Sequence, residues 1–275
     1  MKRSIRGVLG CAVLLPLVVD AVESVSPPAT PVAQIVAKNI AARGGLNAWH
    51  AVKTLSWSGK MEAGGNTRPT LAIPSPDARH GATAPARPQE QVQLPFVLEL
   101  ERPRKSHLQI EFAGQTALQV FDGTQGWKVR PFLNRHEVES YSKAELTSAA
   151  AQDDLDGPLI DYAAKGTTVA LDGRESVDGR DTYKLTLTFK DHHVRHIWID
   201  AQSFLEVAEE GEPRRLDGKL HPVRVYLRDY RTVSGVTVPT VYETRVQGVN
   251  STEKINIDTV VVNPSLPESH FGKPR

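Results

Sequence analysis

A chain of 275 residues is long enough to bury a substantial core, as one large all-β domain or two smaller ones. Its 33 Lys plus Arg against 32 Asp plus Glu leave a formal charge of +1, which gives no overall field to draw in nucleic acid or an anionic membrane surface. A nucleic-acid partner is therefore disfavoured, and one extended domain is the simplest reading.

The first 21 residues have the layout of an export signal: Lys2, Arg3 and Arg6 lead into the apolar run from Val8 to Val19, and Val19-Asp20-Ala21 supplies small-residue cleavage chemistry. The run is too short to be a spanning helix. Val8-Leu9-Gly10-Cys11 looks like a lipidation site, but most of the apolar run follows Cys11, so removal with the signal fits better than a lipid anchor there. Without that segment the protein has no cysteine and needs no disulfide in an exported, periplasmic setting.

Residues 22–31 form a Pro-rich spacer, after which the domain runs from 32 to 275. Val32, Ile35, Val36 and Ile40 recur at helical spacing until Gly44-Gly45 stops them. Leu55 to Met61 alternates and predicts the first strand. Residues 64–95 are Pro-rich and without periodicity, which predicts an insertion at one edge of the sheet. From Phe96 the pattern predicts a meander in which Phe96, Leu98 and Leu100 share a face, followed by Leu108, Ile110 and Phe112 and then by Leu118 and Val120. A turn at Asp122-Gly123 precedes Trp127 and Val129.

Ser142 and Glu145 have capping-box spacing and open a second helix that ends before Gly157-Pro158. Strands are then expected at Thr168–Leu171, Tyr183–Phe189, Val194–Ile199, Phe204–Ala208, Val223–Tyr230, Val236–Val246 and Ile255–Val262, with turns at Asp172-Gly173, Asp178-Gly179, Asp217-Gly218 and Ser234-Gly235. About ten strands with short connections argue for one wide, curling antiparallel sheet, because parallel strands need helical crossovers that are missing. Its apolar face needs covering, and any concavity that the helices leave unfilled would suit an acyl chain.

Arg102-Pro103 at a strand end, the Asp122-Gly123 turn, Trp127 and Pro131-Phe132 resemble, in that order, a segment of the LolA/LolB-like periplasmic lipoprotein carriers. The layout of signal, helix, strands, lid helix and strands resembles the outer-membrane lipoprotein-sorting proteins that extend that fold. The resemblance implies a mainly β (α+β) domain: a single curved antiparallel sheet of ten to eleven strands, an incomplete β-barrel covered by two to three helices as a lid. It also implies a monomer that takes an acylated lipoprotein or lipid as cargo, with an inner- or outer-membrane transport partner. In the carriers the Arg of the Arg-Pro step hydrogen-bonds the lid, which assigns the latch to Arg102. Ser106 stands where the carriers place an aromatic residue.

Trp57, Leu98, Leu100, Leu108, Ile110, Phe112, Leu118, Val120, Trp127, Leu187 and Phe189 are the residues expected to line the apolar cavity. Each is equally at home in a packed core, as Trp198 is, and Arg102 could serve as an edge charge that discourages strand pairing. The cluster Asp191-His192-His193-Val194-Arg195-His196 is the one metal-like signal. Strand positions four apart lie roughly 13 Å apart, too far for one ion without a bend, so a solvated hairpin tip is expected, with no metal and no cofactor. Gly-x-Ser-x-Gly, phosphate-loop and His-Glu-x-x-His motifs are all absent, and the reading is non-enzymatic. A stress sensor or protein-interaction module on the same fold is the alternative to the carrier.

Overall fold

The computed structural model describes residues 31–63, 91–151, 154–216 and 218–275. The expected export signal with Cys11, the spacer before residue 31 and residues 64–90 of the insertion lie outside the described residues. Among the described residues no helix is long and apolar enough to cross a membrane.

The first half is a meander. Helices α1 (Pro31–Ala42) and α2 (Leu46–Ala51) precede strands β1 (Thr54–Ala63), β2 (Val92–Glu101), β3 (Lys105–Phe112), β4 (Gln115–Phe121), β5 (Gly126–Arg130) and β6 (Arg135–Ser140). Helix α3 (Lys143–Ala151) leads to a second meander of β7 (Thr168–Val177), β8 (Arg180–Thr188), β9 (Val194–Asp200), β10 (Glu206–Leu216) and β11 (Lys219–Arg228). Strands β12 (Arg231–Val233) and β13 (Val236–Val238) form a separate ribbon, followed by β14 (Val241–Val246) and β15 (Glu253–Val262). Among the described residues the main sheet has 13 strands in the order β6-β5-β4-β3-β2-β1-β15-β14-β11-β10-β9-β8-β7, so β15 joins the two meanders, and β6 and β7 are its edges. All its pairings are antiparallel, which makes this an open β-barrel covered by helices.

The sheet exceeds the ten to eleven strands expected, with β6 not among the strands that the sequence predicts, and several boundaries also differ. Strand β2 begins at Val92 and carries Pro95 inside it, opposite Lys60 of β1. The ladder to β3 starts only at Phe96, so Pro95 has a ladder partner on one side alone, where its missing N–H costs little. The expected Asp172-Gly173 turn is a bulge within β7, where Leu171 pairs with Leu185 and Gly173 with Lys184. Pro239 divides the expected Val236–Val246 strand into β13 and β14. Asp178-Gly179, with φ of 48° and 76°, is the two-residue hairpin turn that its sequence suggests.

Helix α1 packs its apolar stripe on β8 and β9: Ile35 and Val36 join Leu159, Leu185, Leu187, Ile197 and Ile199 in one buried cluster, each worth roughly 1.5–3 kcal/mol in removed apolar surface. The short helix α2 has too few residues for a periodic signal and was not expected. It buries Trp49 against Val52, Leu55, Ile160, Val236 and Val238. Gly44 (φ 106°) makes the corner between the helices; a Cβ there would lie 2.0 Å from the Gly235 carbonyl oxygen, so only glycine allows the ribbon to dock. A smaller cluster of Val177, Trp198, Val207, Ala208 and Tyr226 covers the opposite face of the sheet, with the Arg224 guanidinium 4.0 Å above the Trp198 ring.

Candidate functional site

A cavity of about 650 Å³ lies between the sheet and α3, within the range of roughly 300–1,000 Å³ common for ligand pockets. Trp57, Leu98, Leu100 and Leu108 form its apolar wall on β1, β2 and β3, facing Ala144, Ser148 and Ala149 of α3 and Leu155 beyond it. The cavity is not uniformly apolar. Gln119, Lys128, Arg130 and Glu145 line it, as do Arg43, Glu206, Glu209, Tyr230 and Tyr242. Burial raises the pKa of both tyrosines, with Glu206 adding to the effect at Tyr230, so both phenols stay protonated. Tyr230 donates to the Glu206 backbone carbonyl at 3.0 Å, and the Trp57 indole N–H is buried without a hydrogen-bond partner among the described residues.

The expected lining residues divide by register. The two-residue turn at Ala113-Gly114, both at positive φ, sets Phe112 opposite Gln115, hence Ile110 opposite Ala117 and Leu108 opposite Gln119. Cross-strand partners share a face, so Leu118, Val120 and Trp127 stand on the other face of the sheet, one residue out of the expected stripe. Ile110 shares the face of Leu108 but lies outside the cavity lining, and Phe112, at the strand end, is exposed. Leu187 is fully buried beneath α1, so the first helix fills its half of the concavity and leaves α3 as the cover. Phe189 packs at the margin of that cluster and lines a second cleft of about 620 Å³ with Lys165, Lys190 and Arg195.

Arg102 lies where three segments meet. Its Nε donates to the Val52 carbonyl at 2.9 Å, and its Nη2 donates to the Trp49 carbonyl at 3.2 Å and to Asp156 Oδ2 at 2.6 Å. Asp156 is only 1% exposed and also accepts from Lys165 Nζ at 2.6 Å, while Arg43 Nη1 donates to its backbone carbonyl at 2.8 Å. The Arg102 guanidinium at the end of β2 thus ties the end of α2 to the loop after α3, where the buried Asp156 carboxylate accepts from it. Neither Asp156 nor Arg43 stood out in the sequence: the adjacent Gly157-Pro158 and Gly44-Gly45 signal helix ends, and no spacing relates the two residues.

The capping box holds α3 in place. Ser142 N–H donates to Glu145 Oε2 at 2.7 Å and Glu145 N–H donates to Ser142 Oγ at 3.3 Å, while Glu145 also pairs with Lys128 on β5. The Lys128 ammonium, with help from the Ser142 amide, holds the Glu145 carboxyl down at about 2 from its usual 4.5. A lowered carboxyl pKa contributes to the folded arrangement above about pH 4.5 and loses that contribution as the pH falls toward 2. Protection of the α3 amides, relative to their intrinsic exchange rates, is expected to fall over that window ahead of protection in β1, and Glu145→Gln is expected to abolish the difference. Parallel loss of protection in α3 and β1 throughout would refute this.

The histidines singled out in sequence do not converge. His192 sits at a turn with φ 66°, His193 lies beside the Phe189 ring and His196 Nδ1 is 2.8 Å from Glu210 Oε2.

No protein-family model matches the sequence, and no curated protein matches it. Solved structures do share its architecture. A DUF1329 family protein from Desulfovibrio piger has 14% identity and a TM-score of 0.53, over 88% of this chain and 97% of that one. A domain from Vibrio parahaemolyticus named for outer membrane lipoprotein sorting has 11% identity and a TM-score of 0.54, over 88% and 96%. A LolA superfamily protein from Nitrosomonas europaea has 15% identity and a TM-score of 0.54, over 88% and 98%. The chain has the LolA-like open β-barrel fold.

Proposed function

We propose that the protein is an exported, non-enzymatic carrier that holds an acyl chain of a lipoprotein or lipid in the cavity beneath α3. The observation that carries this reading is the apolar wall of Trp57, Leu98, Leu100 and Leu108 under a helix that is held by polar contacts at its margins. Burying acyl methylenes at roughly 0.8 kcal/mol each provides the driving force, from which ordering costs are subtracted. The unpartnered Trp57 indole N–H is a donor for an ester carbonyl, and the charged groups around the wall suit a headgroup. In this mechanism α3 and the 154–158 loop move aside, the chain enters along β2 and β3, and Arg102 acts as the latch through Asp156. Two of the neighbours in fold are named for lipoprotein sorting or for the LolA superfamily, which agrees with a cargo of this class.

Native mass spectrometry of the protein purified from its own envelope without detergent, followed by organic extraction, tests the proposal. A near-stoichiometric acylated species is the expected result. A bare protein mass, with no lipid taken up on incubation, would refute the carrier and leave the concave face as a surface for recognising a protein partner.

A further inference from the structure

The face of the sheet opposite the cavity carries a second constellation. Glu99 of β2 and His107 of β3 are ladder partners, so their side chains emerge together on the side away from Leu98 and Leu108. Over them lies the 3-10 turn Glu268–Phe271, whose Phe271 is 1% exposed and fixes the turn against the domain. That anchoring sets the His270 ring beside the His107 ring, with centroids 3.9 Å apart and planes tilted by 36°, and pairs His270 Nε2 with Glu99. One donor atom from each of Glu99, His107 and His270 lies within 4.8 Å of the other two. His107 is 8% exposed, and its Nδ1 is buried with no hydrogen-bond partner among the described residues, 3.7 Å from Glu99 Oε2.

A buried imidazole nitrogen left unpaired beside a carboxylate and a second imidazole is a costly arrangement for a surface that only needs to pack. It is an economical one for binding a cation. Two imidazoles and a carboxylate make a mixed nitrogen and oxygen donor set that suits zinc and its neighbours better than calcium or magnesium, which favour all-oxygen shells. Donors bound at about 2.0–2.2 Å can lie no more than roughly 4.4 Å apart, so the observed spread closes with small side-chain rotations. The backbone needs no rearrangement: two ligands are fixed by the β2–β3 ladder and the third by the buried Phe271.

We propose that Glu99, His107 and His270 form a binding site for a divalent transition-metal ion, zinc foremost, which staples the C-terminal turn to the outer face of the sheet. The site differs from the histidine cluster at residues 192–196 and shares no residue with the cavity lining. Zinc chloride titrated into the untagged, chelator-treated full chain by calorimetry tests it. One zinc ion per chain and a zinc-dependent rise in thermal midpoint are expected. His270→Ala and Glu99→Gln should each weaken binding by at least about tenfold, the size typical of losing even an outer-shell partner, while His192→Ala should leave it unchanged. Both side chains reach the surface, at 27% and 16% exposure, so these variants should fold, and circular dichroism checks that they do. Absence of stoichiometric binding, or binding that survives both substitutions in folded protein, would overturn the proposal.

Discussion

Asp156→Ala is expected to destabilise the protein by about 3 kcal/mol, at the lower end of the cost of breaking a buried ion pair from one side. The carboxylate is 1% exposed and accepts from both Arg102 and Lys165 at 2.6 Å, so its removal leaves two cations facing an empty site. Arg102 and Lys165 are 30% and 18% exposed, which lets them turn partly toward water and keeps the loss from reaching the upper end of that range. Urea unfolding with an unchanged m-value is the measurement. Asp156→Asn, which keeps an acceptor, should cost less. If Asp156→Ala fell within about 1 kcal/mol of the parent, the value of an exposed pair, the three-segment junction would not be holding the loop after α3.

The second large effect is on cargo. Leu108→Trp projects an indole from the middle of the cavity wall into existing space, so the cost in stability should stay at or below the roughly 1–3 kcal/mol of overpacking a filled core. Uptake of a fluorescent long-chain fatty acid should fall at least about tenfold. Excluding even two methylenes removes about 1.6 kcal/mol, and 1.4 kcal/mol is already a factor of ten. Phe112→Trp, at the exposed end of the same strand, should leave uptake unchanged. Equal affinity in the two variants would place the acyl chain elsewhere.

Local signals with a fixed geometry were legible in the sequence. The Ser142/Glu145 capping box, the Asp178-Gly179 hairpin and the alternating strands all identify their elements, and together they suffice for the fold class. What was missed depends on counting across a turn. Ala113-Gly114 is a weak hairpin signal, yet it alone decides whether Leu118 or Gln119 faces Leu108; a slip of one residue transfers Leu118, Val120 and Trp127 to the wrong face. The polar half of the cavity was illegible for another reason. Arg43, Glu206 and Tyr230 come from segments far apart in sequence, and no spacing records their meeting. The same holds for His107 and His270, whereas the conspicuous run at 192–196 spreads its rings apart.

Strand β15 follows every other strand in sequence but sits in the interior of the sheet, clamped between β1 and β14. Until it is in place, β1 and β14 each present a row of unsatisfied amides and carbonyls, and the two meanders have no ladder in common. Closure there brings together residues as remote as Lys53 and Asn263, 210 positions apart, whose side chain–backbone hydrogen bond spans 2.7 Å. Such a seam forms late and slowly, because the loop it closes is long. A chain emerging in order from a ribosome therefore holds two sticky half-sheets until its last strand arrives, and it is in that interval that a chaperone has most to protect.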